Sequence, residues 1–256
     1  MNASLPRDWL KVLEQSCDRF GITCLDVIID QAGSDAPILP SVRSVEPPLP
    51  WHSLFSGLPE AAAQDLAPLL VRVDLTQPIH RQWLLGLMHA LDGRSQLMML
   101  ASRWPFPLLT QHLGHCMEAD NGGHLGLFRF YDPRLFALLF THVLRPDQQQ
   151  LLLRPAAFWS WQDRDGIAQF RLGGSASPDS PARFDPIALT DLQVNILCCA
   201  SDATLAMRAL SVEFPADWSA ERRFRVCYSA MLKADEAGVL VRDQREAYVL
   251  EQLKLA

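Results

Sequence analysis

The sequence has no excess of basic residues. Its 23 lysines and arginines are outnumbered by 29 aspartates and glutamates, which gives a formal net charge of -6. A protein whose main partner is a nucleic acid usually carries a basic footprint, so we expect no nucleic-acid partner. No apolar run approaches the roughly 20 residues that span a bilayer, so we expect no membrane partner. Residues 1–9 lack the charged start and apolar core of a secretory signal, so we expect a cytoplasmic protein.

Paired cysteine motifs and common catalytic signatures are also missing. The six cysteines lie at positions 17, 24, 116, 198, 199 and 227, without a Cys-x-x-Cys spacing. Most of them fall in apolar patterns, which predicts buried thiols in a reducing compartment. The sequence contains neither Gly-x-Ser-x-Gly nor Gly-x-x-x-x-Gly-Lys-Ser/Thr. It therefore offers no signature of a nucleophilic serine or of a phosphate-binding loop.

One predicted helix could carry metal ligands. His112, His115 and Cys116 are spaced i, i+3 and i+4, so they can share one face of that helix. Together with His124 they would form a four-ligand zinc set. We prefer an amphipathic helix with polar histidines beside a buried cysteine, because no paired ligand motif accompanies them. A metal-dependent or other hydrolase that uses this helix is the alternative function; our first choice is a non-enzyme without cofactor or metal.

The apolar pattern of the first two thirds of the chain predicts alternating helices and strands. Predicted helices are 6–20, 59–67, 78–91, 106–117, 133–144 and 147–153, and predicted strands are 24–30, 69–75, 96–101, 125–131, 158–162 and 167–172. Five prolines in residues 37–50 predict a loop that is neither a helix nor a central strand. The alternation indicates an α/β architecture, with a mixed sheet and flanking helices.

The pattern changes beyond residue 172. Residues 173–186 are rich in glycine, serine and proline, which is typical of a linker or a long loop. Beyond them only helical periodicity follows, including a helix that Ser219 would cap. The sequence therefore predicts an α/β lobe over 1–172, a linker over 173–186 and a small all-helical lobe over 187–256. Such a two-lobe protein could hold a polypeptide between its lobes.

The most informative stretch is residues 128–134, which read Phe-Arg-Phe-Tyr-Asp-Pro-Arg. Apolar and polar residues alternate over its first four positions, which predicts the end of a strand. Asp132 is typical of a helix N-cap and Pro133 of a first helical residue. Upstream, residues 121–123 read Asn-Gly-Gly and predict a tight turn into the strand.

With its flanks, this segment resembles the effector-chaperone (adaptor) domain of bacterial type VI secretion. The resemblance covers roughly residues 22–172. Further matching stretches follow in the same order, at residues 25–30, 55–60, 69–75, 146–150 and 158–161. The resemblance implies a non-catalytic cytoplasmic protein that binds a toxic effector. It also implies that the protein loads this effector onto the spike-tip protein of the secretion apparatus without being exported itself.

The candidate site residues serve either as partner contacts or as a structural hub: Arg129, Tyr131, Asp132, Arg134, Trp159 and Trp161. For the charged residues, one interpretation is a helix cap with a surface ion pair. The other is a hub in which Arg129 pairs with a carboxylate such as Asp132. Trp159 and Trp161 share one side of their predicted strand, so they either pack in the core or form an aromatic hot spot.

Overall fold

The computed structural model describes residues 5–178 and 185–253. Residues 179–184, which belong to the predicted linker, lie outside the described residues. The chain divides into two compact units. The first comprises Met1–Phe140 and Leu144–Ala188, and the second comprises Thr141–Val143 and Leu189–Ala256.

The first unit contains two sheets. Their strands are β1 (Cys24–Ile29), β2 (Trp51–Ser53), β3 (Leu69–Asp74), β4 (Leu97–Ala101), β5 (Glu118–Asn121), β6 (His124–Leu127), β7 (Phe158–Gln162), β8 (Ala168–Leu172) and β9 (Ile187–Ala188). The main sheet has the order β2-β3-β1-β4-β7-β8, and the small sheet has the order β6-β5-β9. The predicted α/β class is confirmed. In detail, the main sheet is antiparallel throughout rather than mixed, and the parallel ladder joins β5 to β9.

Proline begins the helices of this unit. They are α1 (Pro6–Phe20), α2 (Leu39–Arg43), α3 (Pro78–Ala90), α4 (Phe106–His115), α5 (Pro133–Leu138) and α6 (Pro146–Leu153). All six carry proline at their first or second position. At these positions proline presets the backbone angle and removes an N–H group that the helix does not use.

The two faces of the main sheet bury different groups. One face packs against α1 and α3, with Leu25, Val27 and Ile29 of β1 in the shared core. Because side chains alternate across a strand, Asp26 and Asp30 project to the opposite face. That face is aromatic: the Phe136 ring of α5 lies 5.1 Å from the ring of Trp159 and 4.9 Å from that of Trp161.

Three sequence predictions need correction. The proline-rich segment over 37–50 contains α2, because Pro40 lies near the start of that helix, where proline is tolerated. The helix predicted over 59–67 is a single 3-10 turn, Pro59–Ala62. The strand predicted to reach residue 131 ends at Leu127, and a turn follows in which the Asp132 N–H group donates to the Arg129 carbonyl over 3.2 Å.

Residues Gly173–Ala176 run alongside the end of α6. Their N–H groups donate to the carbonyls of residues 153, 154, 156 and 157 over 2.8–3.0 Å. The predicted linker is therefore fixed to the first unit over these four residues. Gly173 lies very close to the backbone at the end of α6, since a Cβ atom added to it would be 2.0 Å from the Ala156 carbonyl oxygen.

The second unit is built from α7 (Asp191–Ala209), α8 (Ala220–Glu236) and α9 (Arg242–Leu253). The predicted Ser219 cap is confirmed, because its hydroxyl accepts a hydrogen bond from the Arg222 N–H group at 3.2 Å. The buried Arg245 side chain of α9 pairs with Asp202 of α7 at 3.1 Å and donates to the Met231 carbonyl of α8 at 3.2 Å. One guanidinium thus ties the three helices together. In the described part of the chain, no helix has the length and apolar character needed to cross a bilayer.

Candidate functional site

The Arg129 side chain is held by an aspartate that lies far away in sequence. Its guanidinium donates to Asp30, with 2.6 Å between Nη2 and Oδ2. Asp30 directly follows β1 and lies beside the start of β4. Its N–H group donates to the Gln96 carbonyl at 2.9 Å, and its carbonyl accepts from the side-chain amide of Gln96 at 2.8 Å. Its other carboxylate oxygen accepts the Ala32 N–H group at 3.0 Å. The expected partner of Arg129, Asp132, is therefore not its ion-pair partner.

Asp132 binds Arg134 instead. Its two carboxylate oxygens accept hydrogen bonds from Nε and Nη2 of Arg134, at 2.8 and 2.6 Å. Asp132 also caps α5, because Oδ1 accepts the Arg134 N–H group at 3.0 Å. The cap predicted from the sequence is confirmed, and the same side chain serves as half of a bidentate ion pair.

The two pairs form one cluster of alternating charge, which we call the corner cluster: Asp30, Arg129, Asp132 and Arg134. Both carboxylates are buried, whereas the Arg129 and Arg134 side chains are 43% and 35% exposed. Burial raises the pKa of Asp30, and the nearby Asp132 acts in the same direction, while Arg129 opposes the shift. The buried carboxylates hold the two guanidiniums in place, and the guanidiniums face the solvent.

The aromatic candidates lie beneath this surface. Tyr131 is buried, with the Arg129 guanidinium carbon 5.6 Å from its ring centre. Burial raises the pKa of Tyr131 to about 12, so its hydroxyl stays protonated near neutral pH. Trp159 and Trp161 are 0% and 5% exposed. In this conformation both tryptophans pack in the core and offer no surface to a partner.

The sequence analysis missed two aspartate–arginine pairs. One is Asp30 with Arg129; the other joins Asp26 of β1 to Arg72 of β3 through two hydrogen bonds of 2.8 Å. Complete burial raises the pKa of Asp26, although Arg72 favours its charged form. A signal was present, because an aspartate within an apolar strand needs a buried partner. The signal does not say which arginine supplies it.

The helix proposed for metal binding directs its side chains elsewhere. His112 donates from Nε2 to the Leu151 carbonyl of α6 at 2.6 Å, and the Cys116 sulfur lies 4.0 Å from the same oxygen. Burial lowers the pKa of His112 and raises that of Cys116 to about 12, so both are neutral near pH 7. His115 lines a separate polar cavity of about 330 Å³, and His124 is exposed on β6. Within the described residues, no group of three or more His, Cys, Asp or Glu side chains is arranged to hold a metal.

A larger cleft of about 600 Å³ lies between α3 and the segment that follows Asp30. Its lining includes Ile38, Trp83 and Leu87, and an ion pair between Arg94 and Asp35 lies at the same cleft, with 2.7 Å between Nη2 and Oδ2. A mainly apolar lining of this size suits an apolar side chain or a small apolar molecule.

Comparison with known proteins yields one match. Residues 27–151 match the family model described as Domain of unknown function (DUF4123), which is slightly less than half of the chain. No curated protein and no solved structure gives a significant match. The matched region contains the whole corner cluster, and it ends before β7.

Proposed function

We propose that this protein is a non-catalytic cytoplasmic adaptor of type VI secretion. It binds a toxic effector and loads that effector onto the spike-tip protein. The matched family is described only as a domain of unknown function. The secretion role therefore rests on the resemblance carried by residues 128–134 and their flanks.

The observation that carries the proposal is the construction of the corner cluster. The segment with the most specific resemblance supplies Arg129, Asp132 and Arg134, and each arginine is oriented by a buried carboxylate. Fixed guanidiniums lose little conformational entropy when they bind, and arginine is enriched at protein interfaces. The cluster therefore suits a docking surface for an acidic part of a protein partner.

The direct test is deletion of the gene in its native host. Export of its cognate toxin should stop, while other substrates of the same apparatus continue to be exported. A purified complex of the chain with that toxin should form in the absence of the apparatus. Continued export of the toxin after deletion, with no complex in vitro, would refute the proposal.

A matched pair of variants separates contact from scaffold. Asp30→Asn with Arg129→Gln removes one ion pair of the corner cluster without leaving a buried charge. The control removes the Arg81–Glu14 pair, which is also partly exposed and lies in the same unit. We expect the first variant to weaken toxin binding and the control to leave it unchanged, when both are measured at a temperature at which they are fully folded.

A further inference from the structure

The cleft of about 600 Å³, which we call the α3 cleft, runs along one face of that helix. The helical residues that line it follow the i, i+3, i+4 spacing of a single face: Ile79, Gln82, Trp83, Gly86, Leu87 and Ala90. At 1.5 Å per residue this row is about 16 Å long. The volume corresponds to roughly 20 non-hydrogen atoms, if each takes the roughly 30 Å³ of a water molecule in the liquid. The α3 cleft therefore suits an elongated small molecule.

The inner wall of the α3 cleft is part of the hydrophobic core. Ile38, Leu87 and Leu91 line the cleft and belong to the core cluster that packs against the main sheet. Ile79, at one end, is 48% exposed. The Trp83 ring nitrogen donates to the Ser41 hydroxyl at 3.0 Å and so joins α3 to the opposite wall. A concave apolar surface that continues into the core and carries a few polar groups is typical of a ligand site.

Gly86 keeps the α3 cleft open at its middle. Glycine inside a helix costs stability relative to alanine. A Cβ atom added to Gly86 would meet no atom within 4 Å, so the packing of the chain does not require glycine here. A ligand that lies against α3 would require it, because a larger side chain would occupy the space of the ligand.

One end of the α3 cleft already holds a carboxylate. Arg94, shortly after the end of α3, pairs with Asp35 of the opposite wall, with 2.7 Å between Nη2 and Oδ2. The Arg94 and Asp35 side chains are 41% and 81% exposed, so water screens the pair and its contribution to stability is small. The other residues that line the cleft are uncharged. A ligand with an apolar body and a terminal carboxylate matches this distribution, because its carboxylate can replace that of Asp35 at Arg94.

We propose that the α3 cleft binds a fatty acid or a similar linear amphiphile with a carboxylate headgroup. The carboxylate displaces Asp35 from Arg94, and the alkyl chain runs along α3, over Gly86 and towards Ile79. Removal of the apolar lining from water supplies most of the binding free energy, and Arg94 fixes the orientation of the ligand. This inference goes beyond the adaptor function and does not depend on it.

Laurate and dodecylammonium test the headgroup end, because they share an alkyl chain length and differ in charge. Isothermal titration calorimetry of the full chain, below the micelle concentration, should show that laurate binds about threefold or more tightly than dodecylammonium, as one partly exposed ion pair allows. Arg94→Glu should reverse this preference. Asp35→Asn removes the competing carboxylate and should strengthen laurate binding by about twofold. The control is Arg81→Gln, which should change neither affinity, because Arg81 pairs with Glu14 and does not line the cleft.

Gly86→Leu tests the apolar body of the α3 cleft. The leucine side chain would extend into the open space beside α3, and leucine favours a helix more than glycine does. We expect this variant to have a higher thermal midpoint than wild type and to bind laurate at least about tenfold more weakly. A loss of binding together with a gain in stability separates ligand exclusion from unfolding.

Four results would overturn the proposal: no laurate binding, equal affinity for the two amphiphiles, an unchanged preference in Arg94→Glu, or full laurate binding by Gly86→Leu. A dimer of the chain that laurate dissociates would also overturn it, since the cleft would then belong to a second copy. Displacement of bound laurate by the purified cognate toxin would assign the cleft to a polypeptide and would overturn it as well.

Discussion

Replacing Arg129 by alanine should destabilise the first unit more than removing the arginine and its aspartate together. The Arg129→Ala variant leaves Asp30 buried as a carboxylate, with the Ala32 N–H group as its remaining hydrogen-bond donor. In the double variant with Asp30→Asn, the group left behind is neutral. A buried charge without its partner is much costlier than a neutral amide at the same place.

The size of the effect follows from the exposure of the two side chains. A buried group that loses a charged hydrogen-bond partner costs about 1–3 kcal/mol. The Arg129 side chain is 43% exposed, so solvent screening reduces the electrostatic part. We therefore expect a loss of about 1–2 kcal/mol for Arg129→Ala, of which Asp30→Asn restores about half.

Urea unfolding followed by tryptophan fluorescence measures this cycle. Trp218 is the one tryptophan of the second unit, so a Trp218→Phe background confines the signal to the first unit. The comparison cycle combines Arg129→Ala with Asp132→Ala, a pair that makes no direct ion pair. We expect a smaller coupling free energy in that second cycle. Additive losses in the Arg129–Asp30 cycle would refute the reasoning.

The pH dependence provides a second check on the same variant. Burial already raises the pKa of Asp30, and loss of the Arg129 charge raises it further. With a folded-state pKa above the unfolded value, protonation stabilises the fold at low pH, and this contribution disappears as pH rises through the folded-state pKa. The difference in unfolding free energy between Arg129→Ala and wild type should therefore be smaller at about pH 5 than at about pH 7.5.

Three further predictions concern single positions. Gly173→Ala should lower the unfolding free energy by more than about 2 kcal/mol, since its Cβ atom would meet a backbone oxygen at 2.0 Å. The control is Gly174→Ala, whose Cβ atom would lie 3.4 Å from its nearest neighbour, and it should cost less than about 1 kcal/mol. Gly86→Ala in α3 should raise the free energy of unfolding by about 0.5–1 kcal/mol, and the thermal midpoint with it, because the added methyl group meets open space. With Ellman's reagent at neutral pH, exposed Cys198 should react first and Cys198→Ser should remove this fast phase, while Cys116, whose pKa burial raises to about 12, reacts only on unfolding.

Local chemistry made much of the fold predictable. The helix α1, the β7–β8 hairpin and the Ser219 cap all follow from periodicity and capping within a few residues. The Asn-Gly-Gly signal also produced a turn, with positive φ angles at Gly122 and Gly123 between β5 and β6. Each of these features depends on interactions within one short segment.

The direction in which neighbouring strands pair was harder to predict from the sequence, because it depends on how distant segments meet. Strands that alternate with helices favour parallel pairing, yet β1 lies between β3 and β4 and is antiparallel to both. The small strand β9 pairs with β5, joining Ile187 to Ala119 far earlier in the chain, and the two residues of β9 carry no pattern of their own. Periodicity reports which face of a strand is buried and says nothing of its neighbour's direction.

The candidate site shows the same division between local and distant information. The Asp132 cap is local and was predicted, whereas the partner of Arg129 stands 99 positions away in sequence. Asp30 reaches Arg129 because β1 ends where the turn before α5 begins. This turn replaced the predicted strand end, and with a straight strand Arg129 and Tyr131 would have shared one face. The turn buries Tyr131 and leaves Arg129 half exposed. The Arg129 guanidinium can therefore be held by a buried carboxylate and still face the solvent, because the chain forms a turn here instead of a regular strand.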